Sequence, residues 1–196
     1  MLEKISAWIK KWILIIWILV LITVFGYYLY NPSFFAAESL QWFLLQFGKY
    51  LLIIYFILSA LRGFTLVPST PFVLVGILLF PENLYFVYFI SMSGILLSAT
   101  MIYFFSREMW FEKLLKKHHA SAIEKCEKWI RGYGFLAVTI WSFLLIVPTD
   151  VICYIAGILR MRFSRFILAI ALGEGIICII LIFWGNFLIR FGLNIL

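Results

Sequence analysis

The sequence predicts an all-α polytopic membrane protein: an inverted repeat of a re-entrant helical hairpin plus a transmembrane helix, with an extra transmembrane helix at the N-terminus. Three observations carry this expectation. The 196-residue chain is 65% hydrophobic and 13% charged, with a mean hydropathy of +1.09. That leaves too little polar surface to cover a soluble globule of this size. Thirteen of the sixteen Lys and Arg residues fall in three places, namely the N-terminus, the stretch Arg107 to Arg131, and the cluster Arg160, Arg162 and Arg165. Finally, two proline-broken apolar segments recur about eighty residues apart, Gly63 to Leu79 and Phe143 to Leu159. Paired broken segments of this kind mark the transport site in many membrane carriers.

The elements follow in order from charge and length. Lys4, Lys10 and Lys11 precede an apolar run from Trp12 to Tyr30, near the ~20 residues a spanning helix needs. The run has the outline of a signal sequence. No small-x-small cleavage site follows between Asn31 and Glu38, however, so it reads as a retained helix. The positive-inside rule places the three basic clusters, and with them the N-terminus, in the cytoplasm of a multi-pass cell-membrane protein. The first helix then emerges into an outside loop, Asn31 to Gln41, which carries Glu38 and no base.

The tract 42–80 must enter and leave on the outer face. The helix that follows, from about Leu84 to Ser106, runs from the acid-bearing turn Pro81-Glu82-Asn83 to the basic linker. A segment that returns to its own side is a hairpin, with Arg62 near its apex, and is either a re-entrant loop or a tight helical pair. The linker 107–132 places Phe111, Leu114, Leu115, Ala122, Ile123, Cys126 and Ile130 at helical spacing, with Glu112/Lys116, Glu124/Lys128 and Glu127/Arg131 as i,i+4 pairs. This pattern predicts an amphipathic helix on the cytoplasmic lipid surface. Residues 133–159 repeat the hairpin from the cytoplasmic side, and the helix from about Phe166 to Ile189 exits outward. The chain thus divides into 1–41, a first hairpin plus span at 42–106, the linker 107–132, and a second hairpin plus span at 133–196.

Each copy makes one net crossing, so two copies face the membrane in opposite directions. At an offset of 81, Gly76-Ile-Leu78 falls on Gly157-Ile-Leu159 and Gly94-Ile95 on Gly175-Ile176.

The ionisable residues inside the apolar segments carry the functional argument. An Asp or Arg at the bilayer centre costs roughly 2.5 to 3.5 kcal/mol on insertion scales, so each one calls for a reason. Arg62, Asp150 and Glu174 are the candidates. Asp150, the only aspartate, follows Val147-Pro148-Thr149, where proline removes a backbone donor and breaks the helix. It either caps the following helix or binds a proton or a cation such as Arg62 in a polar chamber. Glu174, within Gly173-Glu174-Gly175, either faces the same chamber or snorkels near the cytoplasmic end. Arg62 offers planar donors suited to phosphate, or else reaches the interface from a helix end. The half-helices after Pro71 and Pro148 add free N–H groups and positive dipole ends. Ser69, Thr70 and Thr149 have a plainer reading, satisfying backbone groups that the prolines release.

Other chemistries find little support. Cys126, Cys153 and Cys178 show no CxxC or metal-ligand spacing and read as packing residues. His118 and His119 lie among the linker lysines without clustered carboxylates. The sequence pairs no nucleophile with a base and has no Gly-rich phosphate loop, so neither an enzyme, a metal nor a cofactor is expected, coupling to protons aside. The formal charge of +7 follows the positive-inside pattern, so anionic inner-leaflet lipid, not nucleic acid, is the expected partner. Homo-oligomerisation is left open.

At these residues the sequence resembles a family. Arg62 to Phe80, with its Pro68-Ser-Thr-Pro71-Phe-x-x-x-Gly76 core, and Val147-Pro148-Thr149-Asp150-x-x-x-Tyr154-x-x-Gly157-x-x-x-Met161 are similar to the two signature segments of the DedA and VTT-domain superfamily, the SNARE-associated Golgi proteins. The likeness covers roughly residues 60–190 and is closer to the VTT branch. The second segment departs from DedA proper, which carries arginines where this chain reads Ile140-Trp-Ser-Phe-Leu-Leu-Ile146. The resemblance implies two opposed re-entrant hairpins and movement of lipid across bilayers, either phospholipid or polyprenyl phosphate. The expected function is therefore a flippase- or scramblase-like translocase whose path runs past Arg62, Pro68, Ser69, Thr70, Pro71, Gly76, Pro148, Thr149, Asp150, Tyr154 and Gly157, with Asp150 and Glu174 coupling to protons. The alternatives are a secondary transporter of a small solute or ion and a non-transport membrane organiser.

Overall fold

A computed structural model describes residues 2–108, 128, 130, 132–144 and 148–190. Eight helices are described: α1 (Leu2–Tyr30), α2 (Ala37–Leu45), α3 (Leu51–Leu61), α4 (Thr70–Leu79), α5 (Leu84–Glu108), α6 (132–142), α7 (Thr149–Ile158) and α8 (Phe163–Arg190). Four stretches are long and apolar enough to cross a membrane: Trp12–Tyr30, Gly48–Thr65, Leu84–Glu108 and Phe163–Phe187. By contrast, α4 and α7 have ten residues each, about 15 Å of helix against a hydrocarbon core of about 30 Å. The first hairpin thus pairs a long limb, the 3₁₀ turn Gly48–Tyr50 continuing into α3, with the half-length α4.

The central element is α5, against which α3, α7 and α8 all pack. The two half-helices cross over. α7 lies chiefly on α5, the long helix of the other half, and α4 makes the matching contact with α8. Small residues allow these close approaches. A Cβ on Gly157 would fall 2.4 Å from the Tyr103 carbonyl oxygen and 1.9 Å from Ser106 Oγ, so α7 and α5 meet backbone to backbone. At the equivalent crossing Gly185 of α8 lies against Leu74 and Ile77 of α4, and Gly185 is 79 residues beyond Ser106. Gly94 of α5 meets Ser59 of α3, just as Gly173 of α8 meets Ser142 of α6.

The helix starts agree, since α7 begins 79 residues after α4 and α8 begins 79 after α5. The structural equivalent of Gly94 is therefore Gly173 and not Gly175, which abuts Tyr88 instead. In so Ile- and Leu-rich a chain, the Gly-Ile match two residues away was a coincidence of composition.

Two buried clusters fill the interior. One joins α5, α6, α7 and α8, with Val73 and Ile77 of α4, around Ile102, Tyr103, Ala156, Phe166 and Ile170, and the other joins α2, α3 and the opposite face of α4 around Leu44, Tyr55, Val67 and Val75. The stretch read as an outside loop differs from that reading. It folds into a 3₁₀ turn, Pro32–Phe35, and then α2, which buries Ala37, Leu40 and Leu44 at i, i+3 and i+7 and packs on α4. Gln41 donates to the Leu78 carbonyl in the last turn of α4 at 3.1 Å, satisfying a group that the helix end leaves open.

α7 stops cleanly. Met161 N–H donates to the Ala156 carbonyl and Arg160 N–H to Gly157, with Arg160 in the left-handed region at φ 51°. The Tyr103 hydroxyl then donates to the Met161 carbonyl. Most of the linker 107–132, including His118, His119 and Cys126, lies outside the described residues.

Candidate functional site

The site forms where the two broken segments meet. α3 ends at Leu61, the chain continues as a 3₁₀ turn Arg62–Thr65, and Leu66 reverses it in the left-handed region at φ 60°. Pro68 and Pro71 keep the next residues from joining α3, and Pro71 sits in the first turn of α4, where its missing donor does no harm. A break this deep in an apolar protein must have its backbone groups satisfied internally. Thr65 Oγ1 donates to the Arg62 carbonyl at 2.7 Å, Arg62 Nη1 to the Val67 carbonyl at 3.2 Å, and Trp17 Nε1 of α1 to the Phe64 carbonyl at 3.1 Å. The Tyr55 hydroxyl reaches Phe72 in the first turn of α4 at 2.9 Å and contacts Ser91 at 3.2 Å.

The second break supplies the counter-charge. Pro148 is the N-cap of α7, and Asp150 stands in the first turn. Arg62 Nη1 donates to Asp150 Oδ2 at 3.2 Å, an ion pair between residues 88 apart in sequence whose side chains are only 4% and 5% exposed. The arginine therefore does not snorkel, and the aspartate carboxylate receives a guanidinium from the other half. The pair is imperfectly satisfied, because Arg62 Nε has no partner, nor does the nearby buried Ser98 Oγ. Gly63 makes the closeness possible, since a Cβ there would lie 2.2 Å from Ser98 Oγ and 2.5 Å from Asp150 Oδ1.

Beside the pair lies a polar recess whose wall comes from both breaks: Pro68, Ser69 and Thr70 from the first, Leu144, Pro148 and Thr149 from the second, with Ser142 of α6 and Glu174 and Ile177 of α8. Glu174 faces this recess and does not snorkel; it is 2% exposed and accepts a hydrogen bond from Thr149 Oγ1. The free space amounts to about 10 Å³, room for one water-sized body. None of the lining side chains among the described residues is basic, and Arg62 is already engaged by Asp150. The recess as it stands therefore holds one carboxyl group and a set of hydroxyls.

Of the residues singled out from sequence, Pro68, Ser69, Thr70, Pro148, Thr149 and Glu174 line the recess, and Arg62 and Asp150 form the adjoining pair. Pro71 belongs to the first turn of α4. Gly76 and Gly157 lie away from the recess, at helix crossings. A Cβ on Gly76 would come within 2.9 Å of both the Tyr55 hydroxyl and Val87. Tyr154, one turn beyond Asp150, packs its ring on Trp17 with centroids 5.3 Å apart. Sequence reasoning passed over Ser98, Ser142, Gly63 and Trp17. The three small residues carry no charge to flag them, and Trp17 resembles any interfacial tryptophan of a spanning helix.

Comparison with known proteins agrees with this architecture. The model of the VTT domain matches residues 67–187. An uncharacterized protein of Methanocaldococcus jannaschii is 30% identical over 107 residues, 55% of this chain and 66% of the relative, so the alignment spans just under two thirds of that protein. No solved structure gave a match. With the helical fold, the four membrane-length helices and a domain match over more than half its length, this multi-pass chain belongs to the VTT-domain family, the DedA and SNARE-associated group.

Proposed function

We propose that the protein is a lipid translocase, in which a headgroup passes between the two broken segments while the acyl chains stay in the bilayer. The observation that supports this best is the buried Arg62–Asp150 pair beside the Glu174 recess. It is a costly polar constellation at the junction of two half-length helices, in a position that packing alone does not require. The recess has room for no more than a water-sized body, so passage requires the two segments to separate. Asp150 and Glu174 are the groups on which proton coupling would act.

The charge count favours a phospholipid over a polyprenyl phosphate. The arginine is neutralised, the recess offers acceptors and hydroxyls, and a headgroup carrying its own cation meets a carboxyl group there without unpaired repulsion. The cell membrane, with the N-terminus cytoplasmic, is the expected setting.

Reconstitution tests the reading. Proteoliposomes carrying fluorescent phospholipid or polyprenyl phosphate in the inner leaflet should lose probe protection with wild type and keep it with Asp150→Asn. Full protection with folded wild-type protein for both probes, with and without a pH gradient, would instead direct attention to saturable uptake of a water-soluble substrate.

A further inference from the structure

α1 stands apart from the rest of the molecule. No residue of its apolar stretch Trp12–Tyr30 is buried, it lies outside the matched domain, and its main contacts are with two short turns, Arg62–Thr65 and Pro32–Phe35. At the first of these turns Trp17 reaches into the site. Trp17 Nε1 donates to the Phe64 carbonyl of the first break, and its ring packs on Tyr154 of α7 and on Phe105 of α5 with centroids 5.3 and 5.6 Å apart. Phe64 lies two residues beyond Arg62, and Tyr154 one helical turn beyond Asp150. Trp17 therefore touches both broken segments close to the ion pair.

We infer that Trp17 is a positioning residue that latches α1 across the two broken segments, making α1 the side door through which a lipid headgroup reaches the Arg62–Asp150 pair. The door's purpose rests on the translocase reading. Its mechanics do not, because α1 buries no residue of its apolar stretch and rests on the core through side chains such as Trp17, Val24 and Tyr28, whereas α7 meets α5 backbone to backbone at Gly157 and α8 meets α6 in the same way at Gly173. A latch of this kind works by competition. Releasing the N–H from the Phe64 carbonyl frees a backbone acceptor that the headgroup or an accompanying water can take up, so the open state loses little hydrogen bonding. The indole N–H donates, and replacing Trp17 by Phe removes this donor while keeping an aromatic ring against Tyr154 and Phe105.

Cysteine labelling in proteoliposomes, with a maleimide dissolved in the bilayer, reads the door directly. Ser98 is fully buried beside Gly63 and the ion pair, so a single-cysteine protein carrying Ser98→Cys reports access to that place. A second protein retaining only the native buried Cys178 reports general loosening. Adding Trp17→Phe should raise labelling at the first reporter roughly two- to tenfold, the equilibrium equivalent of one neutral hydrogen bond, and leave Cys178 unchanged. Phospholipid translocation measured in the same vesicles should rise with it.

Unchanged labelling of the Ser98→Cys thiol, or an equal rise at Cys178, overturns the latch. If labelling rises at the first reporter alone while wild type moves no lipid, the door stands and the translocase reading falls.

Discussion

Replacing Asp150 with Asn removes one charge from a pair whose side chains are 4% and 5% exposed, and leaves the buried Arg62 guanidinium without its counter-charge, facing only neutral acceptors such as the Val67 carbonyl and the new amide oxygen. An unpaired buried charge created in this way costs about 3–5 kcal/mol. The geometry points to the lower end. The contact is through a single nitrogen at 3.2 Å, longer than the ~2.7–2.9 Å of a strong charge-assisted bond, and Arg62 Nε is unsatisfied even in the intact pair. We therefore expect Asp150→Asn to lower stability by about 3 kcal/mol, and Arg62→Gln to lower it by a similar amount. The double variant should recover most of that loss, because two neutral amides leave no orphan charge. The assay is a double-mutant cycle on reversible unfolding in mixed micelles, with helicity and monodispersity as fold controls. A coupling energy below about 0.5 kcal/mol would refute the reasoning, since contacting residues in a working pair exceed that value.

Other consequences are as concrete. Gly157→Ala should destabilise by about 3 kcal/mol or more, because its Cβ meets the Tyr103 backbone oxygen, which cannot yield as a side-chain tip can. Gly26→Ala, with nothing within 4 Å, should be neutral or slightly stabilising by up to ~1 kcal/mol, and the two melting curves give the comparison. Tyr55→Phe removes the hydroxyl that reaches Phe72 and Ser91 and should cost about 1 kcal/mol without disturbing the packing around Gly76, again by thermal unfolding. Single cysteines at Lys10 and Lys128 should label only from the cytoplasmic side in intact cells, and one at Glu82 only from outside; the reverse pattern would invert the topology.

The breaks were legible because they combine residues that the bilayer penalises. A proline inside an apolar run and a lone Asp or Arg both cost free energy in lipid, and together Pro68, Pro148, Arg62 and Asp150 stood out against a background of Ile, Leu and Phe. The pairing of Arg62 with Asp150 was one of two readings left open for that aspartate, and geometry was needed to choose between them. Glu174 was harder to place, since position along α8 does not reveal which face it presents. The register of the repeat was misread for a related reason. Its structural markers are small residues at crossings, Gly94 with Ser59 and Gly173 with Ser142, and in sequence such residues announce neither partner nor face. α2 was missed because Asn31-Pro32-Ser33 reads as a turn, although Ala37, Leu40 and Leu44 already had helical spacing.

The most direct test of the central claim is transbilayer phospholipid movement in proteoliposomes, comparing wild type with the Arg62→Gln/Asp150→Asn double variant once both are shown to be folded. The account predicts rapid loss of inner-leaflet probe protection with wild type and protein-free rates with the double variant. Equal rates from the two proteins would contradict it, because the buried pair would then be a structural contact with no part in moving lipid.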